Sequence, residues 1–172
     1  YLTMDILTFT PALEKRLGRN ERRQRDFLGE LLDGFFADFP EVAGVVLRIG
    51  ESDGLDVKEE FRSRLVLKRP AMVNRCLKGI LPVFERHRRR CVFRTWTVGA
   101  HEVGDLIWRH ATLEKTVEGI TSTALVLSMK YGESDFFRYL SLNRNFFVTD
   151  LPKIVELQTR REYEGCGEYP SF

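Results

Sequence analysis

Long apolar stretches are missing from this sequence, and with them any segment able to span a bilayer. Cysteine is scarce. Cys76, Cys91 and Cys166 are odd in number and lack paired zinc-ligand spacing. They read as reduced thiols of a cytoplasmic protein, with Cys76 and Cys91 packed in its core, and no metal or other cofactor is called for. Excess charge of either sign is absent too. A net charge of +2 and a pI near 8.5 are too balanced to demand a nucleic-acid or membrane partner. There is no internal repeat, low-complexity tract or recognisable signal peptide. The chain opens at Tyr1 inside an apolar run, as a processed or partial sequence would. Gly50, Gly54 and Gly132 suit tight turns but form no phosphate-binding fingerprint.

What is present is an alternation of two hydrophobic periods. Tyr1 to Phe9 is apolar and β-prone, and it stops before Thr10-Pro11. From Arg22 to Phe39 the residues Phe27, Leu28, Leu31, Leu32, Phe35 and Phe36 recur at helical spacing, with Arg22, Arg23, Arg25, Glu30 and Asp33 on the other side. Pro40 marks the end of that helix. Val42 to Leu47 then runs almost uninterrupted, as a strand buried on both faces of a parallel sheet does. The cycle repeats: a helix at 71–86 and the strand Cys91 to Trp96, then a shorter helix at 113–118 and the strand Ala124 to Met129. A last strand runs from Lys153 through Leu157. Strands separated by helices imply right-handed crossovers and a parallel α/β sheet of five strands. A complete eight-stranded (β/α) TIM barrel takes roughly 250 residues, and five-eighths of that is about 156. The 172 residues therefore fit a single, incomplete (β/α)8 barrel domain spanning 1–172. An open doubly wound sheet is the alternative. The open edges of a partial barrel would be covered by a complementing barrel segment or a second copy of the chain.

Each interior strand turns polar toward its carboxyl end. Arg48 and Glu51 follow Val45-Val46-Leu47, and Arg94 and Trp96 follow Val92-Phe93. Lys130, Glu133 and Asp135 follow Val126 to Met129, and Glu156 and Gln158 follow Ile154-Val155. An unpaired buried charge costs several kcal/mol, so these groups need partners or a ligand. In a barrel the strand carboxyl ends converge on the active-site face. Glu51, Asp135 and Glu156, from three strand ends, could then surround one ligand and supply the acid and the second carboxylate of glycoside hydrolysis. Arg94 and Lys130 could hold a substrate carboxylate, and Trp96 could stack on a sugar face or pack in the core. An ion-pair network closing the barrel mouth is the purely structural alternative. Arg86-His-Arg-Arg-Arg90 reads as a solvated helix terminus complementing the helix dipole. His101 and His110 read as loop residues with no metal-site spacing.

With these residues in hand, the chain resembles the catalytic barrel of the α-glucuronidases, family 67 of the glycoside hydrolases. Phe35-Phe-Ala-Asp-Phe-Pro40 and Val42-Ala-Gly-Val-Val-Leu-Arg48 are similar to the family's helix and following strand, which carries its general acid. Phe93-Arg-Thr-Trp96 resembles its Trp-Arg-Ala-Phe strand. Ser128-Met-Lys-Tyr-Gly-Glu-Ser-Asp-Phe136 is similar to its Val-Lys-Asp-Gly-Pro-x-Asp-Phe segment. Val155-Glu-Leu-Gln-Thr-Arg-Arg-Glu-Tyr-Glu-Gly165 is similar to its Glu-Phe-Gln-x-x-x-Glu-Tyr-x-Gly segment.

The resemblance implies an inverting, exo-acting hydrolase of polysaccharide-derived, glucuronic-acid-containing oligosaccharides. Asp135 and Glu156 would be the water-activating carboxylates, and Glu51 the general acid. The family's proline-rich loop at the acid is replaced here by Glu51-Ser-Asp-Gly-Leu-Asp56, so Asp53, directly before Gly54, is the other candidate. Arg48, Arg94, Trp96, Lys130 and Gln158 would bind substrate. In barrel register, Tyr1 to Phe9 corresponds to about the third strand and Glu156 to the seventh. A barrel that binds sugar without cleaving it is the competing function.

Overall fold

The computed structural model describes residues 1–6, 9–49, 66–96, 102–106, 109–132 and 141–157. Five strands are described: β1 (Leu2–Asp5), β2 (Gly44–Arg48), β3 (Arg90–Arg94), β4 (Leu125–Lys130) and β5 (Lys153–Glu156). They form one all-parallel sheet in the order β1-β2-β3-β4-β5. Four α-helices accompany them: α1 (Pro11–Leu17), α2 (Glu21–Asp38), α3 (Pro70–Arg86) and α4 (His110–Val117). Short 3₁₀ turns at Glu102–Leu106 and Arg144–Phe147 complete the described structure. The five-stranded parallel α/β sheet read from the sequence is thus present. The helix α1 and both 3₁₀ turns were not anticipated, because none carries a sustained apolar period.

Local chemistry sets the helix ends. Thr10 caps α1 by accepting from the Leu13 amide at 3.4 Å, and Pro11 occupies a first-turn position where its missing N–H costs nothing. The helix stops at Gly18, whose φ of +64° a side chain would resist. Asn20 then caps α2 through the Arg23 amide at 3.1 Å, and α2 ends two residues before Pro40. Pro70 opens α3 in the same way that Pro11 opens α1.

One layer of helices packs on one face of the sheet. Leu32 and Phe36 of α2, Leu77, Ile80 and Phe84 of α3, and Leu113 of α4 meet alternate strand residues: Val45 and Leu47, Cys91 and Phe93, Leu125 and Leu127. Phe36 and Phe84 touch edge to face, with ring centroids 5.2 Å apart. Strand order follows chain order without reversal among the described strands. A doubly wound sheet reverses its order and carries helices on both faces; the described elements do neither. Gly44 is required by close approach, since a Cβ there would overlap the Arg90 carbonyl oxygen and the Tyr1 ring.

The two edge strands are poorly covered. Leu2 on β1 is 52% exposed, and Ile154 and Val155 on β5 are each 46% exposed. Cys76 and Cys91 are buried free thiols, as the sequence suggests. Burial pushes the Cys76 thiol pKa up to about 12 and the Cys91 thiol pKa upward as well. Among the described residues no helix is long and apolar enough to cross a membrane.

Candidate functional site

Side chains alternate across a strand, so the residues between the core positions face away from the helices. Parallel register aligns them in rows. Thr3, Val46, Val92 and Val126 make an apolar and hydroxyl row near the middle of the sheet. One step toward the carboxyl ends come Asp5, Arg48, Arg94, Ser128 and Ile154, and then Lys130 beside Glu156. The polar residues therefore gather at the carboxyl ends, on the face away from the described helices.

Neighbouring strands pair these charges. Arg48 grips Asp5 with two parallel bonds, Nε to Oδ1 at 2.6 Å and Nη2 to Oδ2 at 2.8 Å. Arg94 Nε donates to both oxygens of Glu156, at 3.2 and 3.1 Å. The Ser128 hydroxyl donates to Glu156 Oε1 at 2.6 Å. The Lys130 ammonium lies 3.7 Å from the Trp96 ring centre, a cation–π contact. Arg48 and Arg94 fall next to each other in register, so the row runs carboxylate, guanidinium, guanidinium and serine, with the Glu156 carboxylate one row further on.

The surroundings stiffen this arrangement. Thr95 is buried, and both its amide and its hydroxyl donate to the Ser128 carbonyl, at 3.0 and 3.1 Å. The Tyr131 amide donates to the Glu156 carbonyl at 3.2 Å, and the Asn143 amide to the Tyr131 carbonyl at 2.8 Å. Asn145, fully buried, donates to the Leu106 carbonyl at 2.8 Å and also bonds His110 Nδ1. His110 thus sits at the start of α4 as a structural partner.

The sequence-derived candidates divide clearly. Arg48, Arg94, Trp96, Lys130 and Glu156 share the carboxyl-end face, and Glu156 is joined directly to Arg94. Glu51, Asp53, Asp135, Gln158 and His101 lie outside the described residues. Two participants escaped the sequence reading. Asp5 is the lone charge in Leu2-Thr-Met-Asp-Ile6, the same apolar-then-charged pattern that singles out the other strand ends. Ser128 left no comparable signal, because a serine in a strand is unremarkable until its neighbours are known. Arg48 and Arg94 are each engaged by a carboxylate of another strand, Asp5 and Glu156 respectively.

Away from this face, the basic run at 86–90 is tied down. Arg86 pairs with Asp33 at 3.4 Å, Arg89 donates to the Pro40 carbonyl, and Arg90 donates to the Thr123 carbonyl. His87 Nε2 lies 2.8 Å from Asp33 Oδ1. Among the described residues, no three His, Cys, Asp or Glu side chains gather as metal ligands would.

Comparison with protein-family models, curated proteins and solved structures gave no match.

Proposed function

We propose that the chain is the greater part of a (β/α) barrel of the α-glucuronidase-like type, acting as an inverting, exo-acting glycoside hydrolase on uronic-acid-containing oligosaccharides. The observation that carries this reading is Glu156, a carboxylate anchored by Arg94 and Ser128 at a strand carboxyl end beside Lys130 and Trp96. Sequential parallel strands under a single helical layer support the barrel, because such a sheet curls toward closure.

In the proposed reaction Glu156, or Asp135, takes a proton from water as the water oxygen attacks the anomeric carbon. The glycosidic C–O bond breaks, and Glu51 or Asp53 gives its proton to the leaving oxygen. Trp96 offers an apolar ring, while Lys130 and the adjacent guanidiniums supply positive potential for a sugar carboxylate. No cofactor takes part. Inversion requires the acid and base carboxyl groups to stand about 6.5–9.5 Å apart, leaving room for the water.

The test is NMR-monitored hydrolysis of a panel of glucuronosyl and neutral oligosaccharides by the native protein and by Glu156→Gln. Release of an inverted uronic sugar, lost in the variant, is the expected result. Binding without turnover by the native protein would replace this reading with a non-catalytic carbohydrate-binding barrel. The exposure of Leu2, Ile154 and Val155 favours a second reading, in which further parallel strand–helix units complete the barrel before it acts. A concentration-dependent mass by sedimentation would support completion by a second copy.

A further inference from the structure

We infer that Ser128 is a positioning residue that fixes which oxygen of Glu156 receives the proton, an inference that rests on the glycosidase reading above. Ser128 is 4% exposed and lies on the open face of β4, one register step before the Lys130–Glu156 pair. Its hydroxyl donates to Glu156 Oε1 at 2.6 Å, within the short range of hydrogen bonds to an ionised oxygen. Its carbonyl is held by both donors of Thr95, the residue that follows β3. Ser128 is therefore itself braced, and its bond passes that rigidity to the glutamate.

The two carboxylate oxygens are treated unequally. Oε1 accepts the Ser128 hydroxyl and the Arg94 Nε at 3.2 Å. Oε2 accepts, among the described residues, only the Arg94 Nε at 3.1 Å. Arg94 alone, sharing one N–H between both oxygens, leaves the carboxylate free to turn about its last side-chain torsion. The Ser128 bond removes that freedom and leaves Oε2 with the more available lone pair. Oε2 is thus the oxygen that takes the water proton, and Ser128 never touches substrate.

The experiment compares the native protein with Ser128→Ala and Ser128→Thr, using a glucuronosyl oligosaccharide and ¹³C-carboxyl NMR of the Glu side chains. Loss of one resonance in Glu156→Gln assigns the Glu156 signal. Removing the hydroxyl is expected to lower kcat about a hundredfold with KM little changed, because misplacement of a reacting group is felt in the transition state. Ser128→Thr, which keeps the hydroxyl, should restore most of that loss, and the Glu156 resonance should move in Ser128→Ala only. A folded Ser128→Ala with native kcat, or with an unmoved Glu156 resonance, would overturn the inference. If the native protein cleaves no sugar, the glycosidase reading fails on its own. The resonance then decides whether Ser128 orients Glu156: movement supports it, and no movement overturns it.

Discussion

Arg48 and Asp5 face each other across β2 and β1 in a two-pronged ion pair, with Nε–Oδ1 at 2.6 Å and Nη2–Oδ2 at 2.8 Å. Each side chain is about two-thirds shielded, at 31% and 27% exposure. The pair fastens an edge strand of only four residues to the rest of the sheet. Isolated surface pairs contribute little, but two parallel bonds in partial burial hold more. Asp5→Asn should therefore destabilise the protein by about 1–2 kcal/mol, since it removes the negative charge that the Arg48 guanidinium grips with two bonds. A double-mutant cycle with Arg48→Met, followed by urea denaturation, checks this. Simple additivity of the two substitutions would show that the pair contributes nothing.

The stacking of Lys130 on Trp96 makes a prediction about substrate choice. In Lys130→Met the packing against the ring is kept while the charge is lost. Under the glycosidase function proposed above, preference for uronic over neutral oligosaccharides should fall about tenfold, the equivalent of ~1.4 kcal/mol. Comparing kcat/KM for the two sugar classes measures it, and an unchanged ratio would remove Lys130 from substrate recognition. The Trp96 emission should shift in the same variant, because an ammonium 3.7 Å from the ring alters its local field.

Acid sensitivity should be traceable to Asp33, which joins α2 to the end of α3. Its carboxyl is held below the ordinary 3.8, chiefly by the hydrogen bond from His87. Partial loss of solvation works against that effect, and the charges of Arg86 and His87 add to it. A depressed folded-state value means the contribution is present above the unfolded pKa and is lost as pH falls through the folded one. The stability gap between the native protein and Asp33→Asn should accordingly be present at about pH 5 and close as the pH drops below the ordinary aspartate value. Urea midpoints across a pH series provide the measurement. A gap that widens on acidification would contradict the assignment.

Gly44 should tolerate no side chain. A methyl group there meets the Arg90 carbonyl oxygen, which is backbone and cannot swing aside. Gly44→Ala should cost on the order of 1–3 kcal/mol by forcing β2 and β3 apart. Thermal denaturation, alongside hydrogen exchange of the β3 amides, would register it. An unchanged midpoint would mean that the strands can separate there without loss.

The order of the strands and of α2, α3 and α4 was legible from period alone. Apolar runs at 42–47 and 124–129 and the helical repeat from Phe27 to Phe36 report burial on two faces or on one, and burial is what these elements share in the fold. The bounds moved by one to four residues, most at the first strand, which ends at Asp5 rather than Phe9. At α4 the helix begins at His110, three residues before Leu113, where the apolar period starts. Charges after apolar strand cores were also legible as a class, since such residues must find partners or a ligand.

By itself, then, the sequence determined the alternation of the five strands with α2, α3 and α4, the buried thiols Cys76 and Cys91, and the polar strand ends at Arg48, Arg94, Lys130 and Glu156, all of which depend on local composition and period. Only the tertiary structure decided which charge meets which. Asp5 lies 43 residues from Arg48, and Glu156 lies 62 from Arg94 and 28 from Ser128. Those separations carry no local signal. The pairs exist because parallel register brings strand ends from distant parts of the chain into one row, where a few ångströms separate partner from neighbour.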